Sequence, residues 1–346
     1  MKAVFIQTKD SSPAGGGNVI APPAAAALYE QSGYGRIEKT GKLRLACVEA
    51  LYLIARGKIE VEGFSFDQLL AECAKFPGFL RSFTVYRDIR ERGYVVTTGP
   101  QDYRIFPRGQ RPGHGQSRYL LRVVSERDLV DLSVVLSEAQ SAANMRKQFL
   151  LAAADDEHEI TYYEIRIQKL QRKDEETTEY PSIPARLAGV SAYVTEDGSG
   201  ITETLKNRWL GTLLDGKHMF LAPVETAWML EHKQLQLEPE MGAEAYQKFA
   251  AENDPDFAEK MITYRYLRSL GFSPRTGYKY GHHFRVYTEQ NNHSEMLVHA
   301  CPHSLTLPMS MISRSVRLAH SVKKKMLFAS INDDELTFIE FARMKL

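Results

Sequence analysis

A chain of 346 residues with 43% hydrophobic and 25% charged residues is an ordinary globular mixture, long enough for two buried cores, which excludes a disordered or fibrous protein. A formal net charge of +1 gives no global signature of nucleic-acid binding, so a polyanionic partner has to be read from local clusters.

In chain order, AVFI reads as a strand, SPAGGGN as a turn, and PPAAAALYE as a helix with proline early in a strong helix former. A second helix is expected from Leu43 to Ala55, stopped by Gly57. LLAECAKF and VYRDIRERG follow as helices, then β-rich runs YVVTT, DYRIF and SRYLLRVV. LSEAQSAANMRKQFLLAA reads as a helix, DDEHE as an acidic turn and ITYYEIRI as a strand. The second half gives AYVT, GITETLKNRWLG, YRYLRSLG, HFRVYT, EMLVHA, SRSVRLAHSVKKKMLFAS and LTFIEFARM, the same order of elements.

The likeness between the halves extends to residues. Tyr86, Arg87, Arg90, Gly93 and Gly99 align with Tyr264, Arg265, Arg268, Gly271 and Gly277, and upstream Val48, Glu49 and Tyr52 align with Val224, Glu225 and Trp228. A tandem duplication fixes the architecture: two α/β (α+β) units, each of two lobes. The expected divisions are 1–82 and 83–170 for the first unit, a polar Pro-bearing linker at 171–186, and 187–260 and 261–346 for the second.

The register also sorts the polar residues. Phe106 falls opposite Tyr287, Gln116 opposite His293 and Lys147 opposite Lys324, while Ser137 and Gln140 stand where the second copy has Arg314 and Arg317. Alternation in HFRVYT puts Phe284 and Val286 on one strand face and Arg285 with Tyr287 on the other, so Tyr287 is expected to face out of the core. After the loop TEQNN, hairpin geometry returns His293 beside Tyr287. With the run from Ile312 to Ala329 as one helix, Arg317 and Lys324 share a face two turns apart, with Arg314 and Lys325 close by. Each feature alone reads more readily as a strand tyrosine, a loop histidine and a solvated basic face. Their joint absence from a copy that keeps its strands and helices favours chemistry.

A tyrosine, a histidine and a lysine without clustered carboxylates suit phosphoryl transfer with neither metal nor cofactor. In RNA the neighbouring 2′-hydroxyl is the natural nucleophile. His293, with a reference pKa of about 6.5, suits the general acid and Lys324 the cation on the phosphate oxygens. A free tyrosine titrates near 10, so Tyr287 as base would need help from such a cation.

HFRVY, HSEMLVH and ISRSVRLAHSVKKKM closely resemble the catalytic lobe of the archaeal tRNA-splicing endonucleases, and the likeness covers nearly the whole chain. The resemblance implies a restriction-nuclease-like α/β fold for each C-terminal lobe, behind an N-terminal α/β lobe. It implies Tyr287, His293 and Lys324 as the catalytic triad, and precursor tRNA cut at a bulge-helix-bulge to leave a 2′,3′-cyclic phosphate and a 5′-hydroxyl. The duplicated form implies a homodimer, with the acidic loop Asp155, Asp156 and Glu157 of one chain docking on the active unit of the other. Arg317 and Arg343 match the pair that holds a bulge base between guanidinium planes, with Arg314 as a further RNA contact. Two other readings stay open: a non-catalytic RNA-binding or assembly subunit, and a metal-dependent DNA nuclease, which would need carboxylates the sequence does not put beside this site.

Other signals fail. AGGGN lacks the GK[ST] of a phosphate loop. Alternate positions on a β-rich run make His299, Cys301 and His303 structural rather than metal ligands. Three scattered cysteines, Cys47, Cys73 and Cys301, fit neither a disulfide framework nor a paired-cysteine metal site and are expected as core residues in a reducing cytoplasm. No run approaches the ~20 apolar residues of a membrane span, and MKAVFIQTKD turns polar too early for a signal peptide.

Overall fold

Alternating residues in KAVFIQ and GNVIA make the first two strands, and in the second every other side chain is buried. The computed structural model describes residues 1–7, 17–171, 182–288, 293–333 and 335–346. Two units are distinguished: Met1–Arg166 with Thr306–Arg314 and Phe341–Leu346, and Ile167–Leu305 with Ser315–Glu340.

In the first unit the N-terminal lobe contains β1 (Lys2–Gln7), β2 (Gly17–Ala21), α1 (Ala26–Ser32), β3 (Arg36–Ile37), β4 (Leu43–Ala46), α2 (Cys47–Ala55), β5 (Glu60–Val61) and α3 (Phe66–Cys73). Its sheet runs β3-β4-β2-β1-β5. Gly33 ends α1 in the left-handed conformation at φ 64°, where glycine carries no Cβ penalty. Ser65 and Gln68 exchange side chain-to-backbone hydrogen bonds at the start of α3, a reciprocal cap that satisfies two otherwise orphaned N–H groups.

The second lobe of this unit contains α4 (Phe79–Glu91), β6 (Val95–Thr98), β7 (Tyr103–Phe106), β8 (Tyr119–Ser125), β9 (Leu129–Asp131), α5 (Leu132–Asn144), β10 (Gln148–Ala154) and β11 (Ile160–Gln168). The strands lie in the order β6-β7-β8-β10-β11. β6, β7 and β8 pair antiparallel, whereas β8 and β10 are parallel, with α5 as the crossover.

The second unit repeats the plan with β12 (Ile183–Ala188), β13 (Ser191–Thr195), α6 (Ile201–Asn207), β14 (Thr212–Leu213), β15 (His218–Leu221), α7 (Pro223–Glu231), β16 (Leu235–Glu238) and α8 (Ala243–Asn253). Its first sheet runs β14-β15-β13-β12-β16, matching the first unit strand for strand. Next come α9 (Phe257–Ser269), β17 (Ser273–Thr276), β18 (Phe284–Tyr287), β19 (Met296–Pro302), β20 (Thr306–Pro308), α10 (Met309–Ser321), β21 (Lys325–Asn332) and β22 (Glu335–Met344). Here the order is β17-β18-β19-β21-β22. β20, whose residues belong to the first unit, pairs antiparallel with β9.

The repeat register holds in hydrogen bonds. Glu49 accepts from the backbone N–H groups of Gly35 and Ala46 at 2.9 Å each, and Glu225 accepts from Gly211 and Ala222 at 3.2 and 2.7 Å. Both carboxyls are buried, and burial raises their pKa. Arg90 donates to the carbonyls of Ser32 and Gly33; its counterpart Arg268 donates to that of Arg208.

Four local expectations are corrected. Leu43–Ala46 is strand rather than the first turn of a helix, because Ala46 is already the extended N-cap residue of α2. The two long helices expected around Lys147 and Lys324 stop at Asn144 and Ser321. QFLLAAA and KMLFASIN beyond them are strands buried along nearly their whole length, and a short continuous apolar run does not distinguish a buried parallel strand from a helix. Residues 183–186 of the expected linker lie in β12. Residues 172–181 of that linker, 12–16 of SPAGGGN and 289–292 of TEQNN lie outside the described residues.

Candidate active site

Strand pairing gathers the candidate residues at one end of three neighbouring strands. β18 ends at Tyr287 and pairs Val286 with Met296 of β19, while the Glu295 N–H donates to the Val286 carbonyl at 2.9 Å. β19 and β21 are parallel with Met296 opposite Lys325, and the Lys325 N–H donates to the Glu295 carbonyl at 3.0 Å. The end of β18 and the beginnings of β19 and β21 therefore adjoin. His293 is exposed just ahead of β19. Lys324, just ahead of β21, directs its ammonium onto the carbonyl oxygen of Ser294.

Lys324 is not on the helix with Arg317, as expected, but in the turn after it. The Lys323 backbone is left-handed at φ 56°, and the Lys324 N–H closes back on the Ala319 carbonyl at 2.8 Å, a bond that ends the helix. The side chain reaches the strand ends by this route instead.

Tyr287 lies on the strand face opposite the core residues Phe284 and Val286, as alternation requires. It is nevertheless only 7% exposed. The ring of Trp209 covers it, with centroids 4.6 Å apart and planes at 35°, and the guanidinium carbon of Arg285 stands 5.7 Å from its centroid. Trp209 is the site residue that sequence reasoning missed. The repeat register held the only available signal, since Gly33 occupies its place in the first copy.

The first copy builds the same strand ends with other side chains. Val95 faces Phe106 across β6 and β7 as Ser273 faces Tyr287 across β17 and β18. Lys147 donates to the carbonyl and the hydroxyl of Ser117 at 2.6 and 2.7 Å, and Gln116 is exposed where the second copy has His293. Partial burial, reinforced by Arg104, lowers the Lys147 pKa.

Arg314 and Arg317 are exposed on α10, and Arg343 is exposed near the end of β22. In the acidic loop Asp155 accepts from the N–H groups of Glu157 and Glu159 at 3.0 and 2.8 Å, Asp156 pairs with Arg127, and Glu157 is exposed. His299 stacks on His283 at 4.3 Å, Cys301 is buried and His303 Nδ1 lies 3.1 Å from the Ser330 hydroxyl. Among the described residues no group of three or more His, Cys, Asp or Glu is placed to hold a metal ion. No helix among them is long and apolar enough to cross a membrane.

A family model described as tRNA intron endonuclease, catalytic C-terminal domain, matches residues 79–162 and again residues 257–338. A second, tRNA intron endonuclease, N-terminal domain, matches residues 15–70. The tRNA-splicing endonuclease of Methanococcoides burtonii is 37% identical over 92% of this chain and 95% of that protein. Those of Methanosarcina barkeri and Natronomonas pharaonis are 34% and 31% identical over 96% and 94% of this chain and 98% and 96% of their own lengths. The doubled match falls on the two lobes that share strand order and hydrogen bonds, and the chain belongs to the tRNA intron endonuclease family.

Proposed function

We propose that this chain is a tRNA-splicing endonuclease that cuts precursor tRNA at bulge-helix-bulge junctions without a metal ion. The observation that carries the reading is the asymmetry of a duplicated catalytic domain. Tyr287, His293 and Lys324 belong to adjoining strand ends in the second copy, where the first has Phe106, Gln116 and Lys147.

In this reaction the 2′-oxygen attacks the adjacent phosphorus while the bond from phosphorus to the 5′-oxygen breaks. Tyr287, as its phenolate, accepts the 2′-hydroxyl proton, His293, as its imidazolium, delivers a proton to the departing 5′-oxygen, and Lys324 stabilises charge on the non-bridging oxygens. The products are a 2′,3′-cyclic phosphate and a 5′-hydroxyl. Arg314, Arg317 and Arg343 contact the RNA, and the Asp155–Glu157 loop docks a second copy of the chain to form a homodimer.

The test is cleavage of a bulge-helix-bulge RNA in excess chelator by wild type, His293→Ala and Lys324→Ala. Wild type should cut and release cyclic phosphate, with both variants slowed at least about a hundredfold. Loss of wild-type cleavage in chelator overturns the metal-free mechanism, and undiminished cleavage by both variants overturns the residue roles. RNA binding without cleavage by wild type under any condition would instead support a non-catalytic binding subunit.

A further inference from the structure

Trp209 occupies a conformation that a bulky residue rarely adopts. Its φ is 58°, in the left-handed region where Cβ crowds the backbone and glycine alone is free of cost. Its counterpart is Gly33 at φ 64°. Equivalence rests on the matching bonds from Gly35 to Glu49 and from Gly211 to Glu225. The first copy has no room for a side chain here: a Cβ on Gly33 would come within 2.7 Å of Val95 and 2.9 Å of Pro112. In the second copy the position of Val95 is taken by Ser273, the cross-strand neighbour of Tyr287. Arg146, Lys233 and Lys323 end helices in the same conformation, so what sets Trp209 apart is the bulky ring kept there against Tyr287.

The indole does more than cover the phenol. Trp209 and Tyr287 together line an open recess of about 380 Å³ that also receives Lys206, Asn207 and Arg285. That volume falls in the range of roughly 300–1,000 Å³ of small-ligand clefts. The Nε of Arg285 is buried there with no hydrogen-bond partner among the described residues. Arg104 holds the corresponding strand position in the first copy, so the aromatic ring is what distinguishes the second. An aromatic face, an amide and the cations Lys206 and Arg285, next to an Arg275 already paired with Glu225, have the chemistry beside the candidate base to take a nucleobase with its phosphate.

We propose that this recess is a subsite for one unpaired base of the RNA next to the cut. The base stacks on Trp209, and Lys206 and Arg285 meet the adjoining phosphate. The inference rests on the function proposed above. Stacking accepts every base because each has a π-face, so the subsite reads whether a nucleotide is unpaired rather than which one it is.

The experiment measures kcat/KM on a bulge-helix-bulge RNA and on a set in which each bulge nucleotide in turn is abasic. Trp209→Gly should lower kcat/KM on the intact RNA by about tenfold to a hundredfold, and Trp209→Phe by no more than about threefold. One abasic position should cost wild type a similar factor and cost Trp209→Gly less than about twofold, because the partner of that base is already gone. Trp209→Gly should unfold no earlier than wild type, since glycine suits this φ; if it does unfold earlier, Trp209→Leu, which keeps bulk without an aromatic face, carries the abasic comparison. Equal penalties for every abasic position in wild type and variant would make Trp209 a support for Tyr287 and overturn the subsite. Cleavage by Trp209→Gly within about twofold of wild type would overturn it as well. If wild type cuts none of these RNAs, the proposed function fails separately; the subsite is then read in binding, as a change in 2-aminopurine fluorescence at one bulge position that depends on Trp209, and its absence overturns the subsite too.

Discussion

Lys324 donates its ammonium to the carbonyl oxygen of Ser294, and Lys147 makes the same bond to Ser117 in the copy without the tyrosine and histidine. The lysine thus has a structural task in both copies, tying the turn after a helix to the entry of the neighbouring strand. In the second copy it also adjoins the strand ends that carry Tyr287 and His293, where the proposed reaction calls for a cation. Lys147→Ala should cost about 1–3 kcal/mol of stability, the scale of a hydrogen bond to a charged group, and leave cleavage within about twofold of wild type. Lys324→Ala should suffer the same destabilisation and lose about a hundred- to a thousandfold in kcat. Thermal unfolding and single-turnover cleavage of both variants check this, and equal catalytic losses would contradict it.

If His293 protonates the leaving oxygen, a leaving group that needs no proton should make it dispensable. On RNA with a bridging 5′-sulfur at the cut, His293→Ala should recover most of its loss of about a hundredfold or more. Lys324→Ala should recover little. An unchanged His293→Ala defect on the sulfur substrate would remove the histidine from that role.

Much of this was legible because the sequence contains its own comparison. The aligned Tyr-Arg pairs, Glu49 and Glu225, and the substitution of Phe106 for Tyr287 needed only register, and the observed strand pairs follow that register. Local periodicity failed where two elements join without a break. The apolar run MLFASI continues the pattern of α10 although the chain has turned at Lys323, so by periodicity alone Lys324 reads as helix rather than as the turn before β21. Trp209 has only its register position opposite Gly33 to mark it. Neither its left-handed backbone nor its partner Tyr287, far along the chain, leaves a mark in local pattern.

Three histidines of the second unit set a pH dependence. His283 and His299 stack at 4.3 Å, and His282 meets His299 edge-on at 5.8 Å. Burial, then repulsion from His299, holds His282 and His283 at about 4, with Lys260 adding to the effect on His283 against Asp256 and Asp254; burial lowers His299 against the pull of Asp256, with Lys260 adding to the lowering. Unfolded histidines titrate near 6.5. Between about pH 6.5 and 4 the unfolded chain therefore binds more protons, so this stability is whole above that window and is lost as pH falls through it, by a few kcal/mol. The two tryptophans, Trp209 and Trp228, both lie in this unit, and their fluorescence in urea reports its midpoint. That midpoint should fall from pH 7 to pH 4.5, with a smaller fall for His282→Gln. A midpoint indifferent to pH in wild type would refute the assignment.

The acidic loop separates into a residue that builds it and two residues that stay at its surface, the ones the proposed dimer would use. Asp155 spends its carboxylate on two backbone N–H groups of the turn. Asp156 instead pairs with Arg127 at the surface, where the two side chains are 61% and 73% exposed. Such a pair exchanges partners at little cost, so a basic patch on a second copy can draw Asp156 and the exposed Glu157 away. Charge reversal at Asp156 and Glu157 to lysine should leave the fold intact, turn a dimer into a monomer by sedimentation equilibrium, and lower cleavage at least about tenfold through like-charge repulsion at the docking face. Asp155→Asn should mainly loosen the turn and preserve the mass of the assembly. A wild-type monomer at working concentration, or a dimer unaffected by the double reversal, would leave the first copy without the docking role that its loop suggests.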